Sequence, residues 1–224
     1  MNQYIEEQIL NHFKNGWHLM NLFRASVIFI FIMLTCLISH EAYAFNTYLV
    51  GEEIVGQGYN DVWKRWYKRK FSIWVGVRGN AEFIFFVGET GLGDATVMVD
   101  DYEALREKFK NAIKKAIEWS NVARKNQADT KKSLGCFAQD DRFNICEETG
   151  LAFKENQMGL SFFATNGGRQ TNLIISIVDR NNQFIKTSIY VDLPEMIKLL
   201  KVVDQIEGAF QKARKTAKDQ KLFK

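Results

Sequence analysis

The sequence predicts an α+β fold of two β-meander-plus-helix halves, each β-β-β-α, forming an antiparallel sheet covered by two amphipathic helices. Three observations carry this. Apolar residues alternate with period two in Phe71–Arg78 (FSIWVGVR) and Thr171–Val178 (TNLIISIV). They recur at three- and four-residue spacing after Asp101 and again after Pro194. The strand-to-helix junctions Val99-Asp100-Asp101-Tyr102 and Val191-Asp192-Leu193-Pro194 correspond, which points to a duplication of segments 71–125 and 150–213.

Taken in order, Thr47–Val50 reads as a short strand, and the stretch to Asp61, punctuated by Gly51, Gly56 and Gly58, as a loop. Phe71–Arg78 places Ile73, Val75 and Val77 on one face. Gly79-Asn80 turns the chain into the apolar run Glu82–Val87. The Gly-rich connection Gly88–Asp94 leads to the strand Ala95–Val99. Asp100 and Asp101 are placed to cap a helix and complement its dipole. Its apolar stripe is Leu105, Phe109, Ala112, Ile113, Ala116 and Ile117, fading near Lys125. A linker follows, containing the segment CFAQDDRFNIC. Gly150–Lys154, Met158–Thr165, Thr171–Val178 and Phe184–Val191 read as strands, with turns at Asn166-Gly167-Gly168 and Asn181-Asn182. A last helix opens at Asp192 with Pro194 near its first position. It carries Ile197, Leu200, Val203, Ile206 and Phe210 inward and ends in a solvated basic tail, Lys212–Lys224. Antiparallel meanders with one wet face need cover on the other, and two helices supply it in a two-layer sandwich.

Over residues 71–213 this order of elements resembles the Whirly and purine-rich-element-binding proteins, built from paired strand-meander-plus-helix repeats. The resemblance implies a module for single-stranded nucleic acid. It is one of element order, so no residue carries over, and fold alone does not fix function.

Residues 1–44 read as a secretory signal. The uncharged stretch Ala25–Ser39 follows Arg24 and ends near Ala42-Tyr43-Ala44, giving a positive flank, an apolar core and small residues two apart. Such a helix rises about 22 Å, short of the roughly 30 Å hydrocarbon core. Cleavage between Ala44 and Phe45 leaves a single exported domain, 45–224. Met20–Ala44 alone has an ordinary signal length, which places the true start at Met20. The competing reading is an uncleaved anchor extended by Met20, Leu22 and Phe23, which Arg24 interrupts.

All three histidines (His12, His18, His40) fall in that leader. The trimmed chain then has no imidazole, the commonest general base near neutral pH and the commonest metal ligand. A serine or cysteine triad and a His-based zinc site are excluded, and no metal or cofactor is expected. Carboxylate-only chemistry and a Lys nucleophile survive. Removing Lys14, Arg24, Glu6, Glu7 and Glu41 leaves 28 basic and 23 acidic residues. The excess sits in two segments, Trp63–Lys70 (WKRWYKRK) with five cations and the tail with six; the remainder has 17 basic against 22 acidic residues.

Cys136 and Cys146, ten positions apart, are expected to form a disulfide outside the cytoplasm. They are read as facing each other across a hairpin turning at Asp140-Asp141-Arg142, rather than as a redox pair, since catalytic dithiols sit two residues apart at a helix start.

The residues read as a binding segment are Trp63, Lys64, Arg65, Trp66, Tyr67, Lys68, Arg69 and Lys70. Aromatic and basic side chains interleave there, which suits stacking with neutralisation of anionic groups. As a strand it sets Trp63, Arg65, Tyr67 and Arg69 on one face. As a helix opened by Asn60 or Asp61 it clusters Trp63, Trp66, Tyr67 and Lys70. The bland reading is an amphipathic entry to the sheet, aromatics buried and cations solvated. Gly91-Leu92-Gly93 lacks the third glycine and the helix of a dinucleotide site. The acid pairs Asp100/Asp101, Asp140/Asp141 and Glu147/Glu148 sit at caps or turns, and glycosidase chemistry needs two carboxyls converging from distant positions. The expected function is an exported, non-enzymatic binding domain for an anionic envelope partner. The alternatives are a carboxylate-dependent hydrolase of envelope polymers, a structural or inhibitory partner of another envelope protein and, by fold analogy only, a single-stranded nucleic-acid-binding module.

Overall fold

The computed structural model describes residues 46–60, 62–138 and 144–221. The leader, its cleavage point at Ala44 and Phe45, and the Asp140-Asp141-Arg142 turn lie outside the described residues. The strands are β1 (Asn46–Leu49), β2 (Ile54–Asn60), β3 (Arg65–Arg78), β4 (Ala81–Glu89), β5 (Asp94–Asp100), β6 (Thr130–Ala138), β7 (Gln157–Thr165), β8 (Gln170–Val178) and β9 (Lys186–Val191). The helices are α1 (Glu103–Asn126), α2 (Asn144–Thr149), α3 (Leu193–Val203) and α4 (Ile206–Lys221). All nine strands join one antiparallel sheet in the order β5-β4-β3-β2-β9-β8-β7-β6, with β1 paired to the far half of β3. The mixed α+β class stands as expected.

Each run of neighbouring strands is longer than the predicted three. β2 replaces an expected loop, because Gly56 and Gly58 serve close strand approach rather than a turn. A Cβ at Gly56 would lie 2.6 Å from the Ile189 side chain and 2.7 Å from the Tyr190 carbonyl oxygen. β6 occupies the expected linker. The cysteines do not face each other across a hairpin: Cys136 lies on β6 and Cys146 on α2, joined by a disulfide with Cα atoms 5.5 Å apart. Gly150–Lys154 is not a strand. It crosses the face of β7, where Gly150 has φ +65° and lies against the Leu160 carbonyl, and the Ala152 amide donates to Ser176 Oγ at 3.2 Å.

The cover is also more than two helices. The expected final helix breaks at Asp204-Gln205 into α3 and α4, and Ile197 points outward at 44 % exposure. The inward positions there are Met196, one residue before it, and Leu199, two residues after it. Among the described residues the basic tail is helical through Lys221, with Ala213 buried and Arg214 ion-paired rather than simply solvated. At α1 the N-cap residue is Tyr102, with no side-chain cap. Asp101 instead faces Arg106 at 3.3 Å. Asp192 does cap α3, its Oδ1 accepting from the Glu195 amide at 3.1 Å.

The sheet curls around α1. Phe109 of α1 lies 5.1 Å from the Phe86 ring of β4 and 5.4 Å from the Phe137 ring of β6. Phe71, Phe86 and Phe137 are all at most 1 % exposed. Burying one such ring stabilises by roughly 2–3 kcal/mol. Curling leaves both sheet edges occupied. The β5 edge is bound by loops: the Thr96 amide donates to Asp179 Oδ2, the Arg180 amide to the Thr96 carbonyl, and Asn156 exchanges two hydrogen bonds with the Met98 backbone, all at 2.8–2.9 Å. The β6 edge is covered by α2 and the disulfide. Lys108 Nζ donates to the Cys136 carbonyl at 2.8 Å and pairs with Glu147 at 2.6 Å. Covered edges resist pairing with other chains.

Candidate functional site

β3 pairs with β4 only from Phe71 onward. Its first half, Arg65–Lys70, runs with β2 as a hairpin in register Asn60↔Arg65 through Val55↔Lys70. The segment is therefore strand, with Val62, Trp63 and Lys64 in the turn. Asn60 builds that turn locally, its Oδ1 accepting from the amides of Val62 and Trp63 at 3.0 Å each. Lys64 closes it in the left-handed region at φ 51°.

The alternation sorts the segment. Val55, Gln57, Tyr59, Trp66, Lys68 and Lys70 share one face; Tyr67 and Arg69 take the other, across from Gly58 and Gly56. Trp66 meets Tyr190 edge-on at 5.0 Å and Tyr59 at 5.3 Å. The Arg69 guanidinium stands 5.7 Å from the Tyr67 ring. Lys70 pairs with Glu53 at 2.8 Å, a hydrogen bond that raises its pKa. Among the described residues no carboxylate pairs with Lys64, Arg65 or Lys68. Nor are the aromatics buried, as an amphipathic entry to the sheet would have them: Trp63 is 67 % and Trp66 52 % exposed.

β2 and β9 share one register pair, Gln57↔Tyr190. Where they diverge a groove of about 790 Å³ opens. Trp66, Lys68, Tyr190, Phe163, Arg169 and Arg124 line it. Asp192 and Glu195 line it too, but both are engaged in structure. Asp192 caps α3, and Glu195 Oε2 accepts from the Val55 amide at 2.9 Å. The sequence reading missed this groove, whose residues come from distant strands and a helix end. One signal was present: in FIKTSIYV the inward Ile189 and Val191 force Tyr190 outward.

A second charged cluster was also missed. Arg106 and Arg214 both bind Glu207 at 2.9 Å, Arg214 reaches Glu82 at 2.8 Å, and Arg106 faces Asp101. The two arginines hold the Glu207 carboxyl below its ordinary range, while burial raises Asp101. The chain of charges ties α4 to the start of α1 and to β4, a structural role. Glu147 pairs with Lys108, and Gly91–Gly93 forms the β4–β5 turn closed by the Thr90 amide on the Gly93 carbonyl. Among the described residues no cluster of three or more His, Cys, Asp or Glu could hold a metal ion, and no helix is long and apolar enough to cross a membrane. No family model, curated protein or solved structure matches this chain.

Proposed function

We propose that this chain is an exported, non-enzymatic binding domain that meets an anionic partner through the β2–β3 hairpin. One observation carries the reading: Trp63 and Trp66 stand exposed beside Lys64, Arg65 and Lys68, none of which has a carboxylate partner among the described residues. Large exposed apolar side chains grouped in this way mark interaction surfaces. Outside the hairpin and the basic tail the domain carries an acidic excess, so an anion is steered toward these segments. The groove extends the site, adding Arg124 and Arg169 beside Tyr190 and Phe163. Export is supported by the disulfide and by the leader pattern. The matched junctions at Val99 and Val191, each leading from a four-strand run into a helix, support a duplicated origin.

The test is replacement of Lys64, Arg65 and Lys68 by Ser. All three are exposed, so the fold should persist by circular dichroism. The salt concentration that elutes the protein from a heparin column should fall, the basic tail keeping a residual retention. Unchanged salt of elution would reject the hairpin as the anion site.

A further inference from the structure

We infer that the partner is an anionic lipid bilayer, into whose interfacial layer the tip of the β2–β3 hairpin inserts. This rests on the anionic-partner reading and names the partner. Exposed apolar and aromatic side chains stand at the end of the hairpin and on both of its faces, among the cations. Val62 is 82 % and Trp63 67 % exposed in the turn; Tyr59 and Trp66 lie on one face and Tyr67 on the other. A polymer or protein docked against one face would leave the others in water. A medium that surrounds the tip covers them all, and Trp and Tyr favour the depth of the lipid headgroups.

Two further features fit insertion. A turn entering an interface must not strand its backbone donors. Here Asn60 Oδ1 already takes the amides of Val62 and Trp63. The charges are also set at the right depth. From Arg65 to Lys68 the strand rises about 10 Å, so cations flank the tip over the thickness in which an interfacial segment meets headgroups. Between Asn60 and Lys68 the sequence has Lys64, Arg65 and Lys68 against one acid, Asp61, which lies outside the described residues.

The experiment measures binding of the exported protein to phosphatidylglycerol–phosphatidylcholine vesicles and to pure phosphatidylcholine vesicles. Tryptophan quenching by lipids brominated near the headgroup reads insertion. Two variants are compared, Val62→Ser/Trp63→Ser and Lys64→Ser/Arg65→Ser/Lys68→Ser. The wild type should bind the anionic vesicles and be quenched. The charge variant should bind roughly 100-fold more weakly, about fivefold per cation. The tip variant keeps every charge yet should bind at least about tenfold more weakly and lose quenching, Trp66 remaining as reporter. Full binding and quenching by the tip variant would overturn the inference. Salt-sensitive binding to a single-stranded oligonucleotide, without quenching by vesicles, would overturn the membrane assignment and leave the anionic reading standing. Failure to bind either probe would overturn both.

Discussion

Reducing the Cys136–Cys146 bond should cost this domain about 2.7 kcal/mol. The bond closes a loop of sequence separation 10. On the chain-entropy relation a loop of that length removes roughly 9 cal/mol/K from the unfolded ensemble, which at 25 °C gives that figure. For a domain of this size each kcal/mol moves the melting temperature by about 2–4 °C, so a fall of about 5–11 °C is expected. The sulfurs sit in a buried place, Cys136 4 % and Cys146 1 % exposed, so substitution alone perturbs packing. The clean comparison is oxidised against reduced wild type by urea unfolding, with Cys136→Ala/Cys146→Ala as a second reduced reference. Because the bond holds α2 against β6, hydrogen exchange should rise first along Thr130–Ala138. Equal stability of the oxidised and reduced forms would refute the reasoning. So would a loss of protection spread evenly over the sheet.

Three further outcomes follow from the geometry. Gly150→Ala, whose Cβ would fall 2.1 Å from the Leu160 carbonyl oxygen, should destabilise by about 3 kcal/mol or more; Gly79→Ala, with similar φ and open space, should lose only about 1 kcal/mol. Equal losses in chemical denaturation would show that close approach is not the cause. Asp192→Ala should cost about 1 kcal/mol by removing the α3 cap, and Tyr102→Asp should gain up to about that amount at the uncapped start of α1. Unfolding curves that move the other way would refute the capping account. Glu207 is held below the ordinary carboxylate range by Arg214 and Arg106, so the folded state takes up its proton less readily than the unfolded chain. Its stabilisation is present above the ordinary value and lost as pH falls through the folded one. Asp101, raised by burial, acts in the opposite sense and above its ordinary value. Glu207→Gln should therefore flatten the acid limb of the stability profile; parallel profiles would contradict this.

Much of the fold was legible because period two and period 3.6 survive where a strand or helix buries one side. The α1 stripe has that property; in Phe71–Arg78 and Thr171–Val178 both faces are largely buried, and the alternation survives because small or polar residues such as Ser72, Gly76 and Ser176 stand between the bulky apolar ones. β2 was hidden because the glycines that admit β9 read as loop punctuation. β6 was hidden because its register shifts between Ser133 and Gly135, which breaks the alternation of TKKSLGCFA. The single helix expected after Asp192 could not be told from two, since Ile206 and Phe210 keep an apolar spacing across the break at Asp204-Gln205. At the site the hairpin's composition was plain in WKRWYKRK, but strand and helix both fitted its spacing, and it is the pairing with β2 that makes it a strand. The groove was not legible, because Phe163, Arg169 and Arg124 reach it only through the β9-β8-β7 pairing and the end of α1.

The central claim is that Lys64, Arg65 and Lys68 of the β2–β3 hairpin bind anionic groups. Its most direct test is the salt dependence of binding to oligodeoxythymidylate, used as a polyanion of known charge spacing. For each cation that neutralises a phosphate, the slope of log K against log salt changes by about 0.7 on a single strand. Replacing Lys64, Arg65 and Lys68 by Ser should thus flatten the slope by about 2. A variant whose slope equals that of the wild type would contradict the assignment of the hairpin as the anion-binding site.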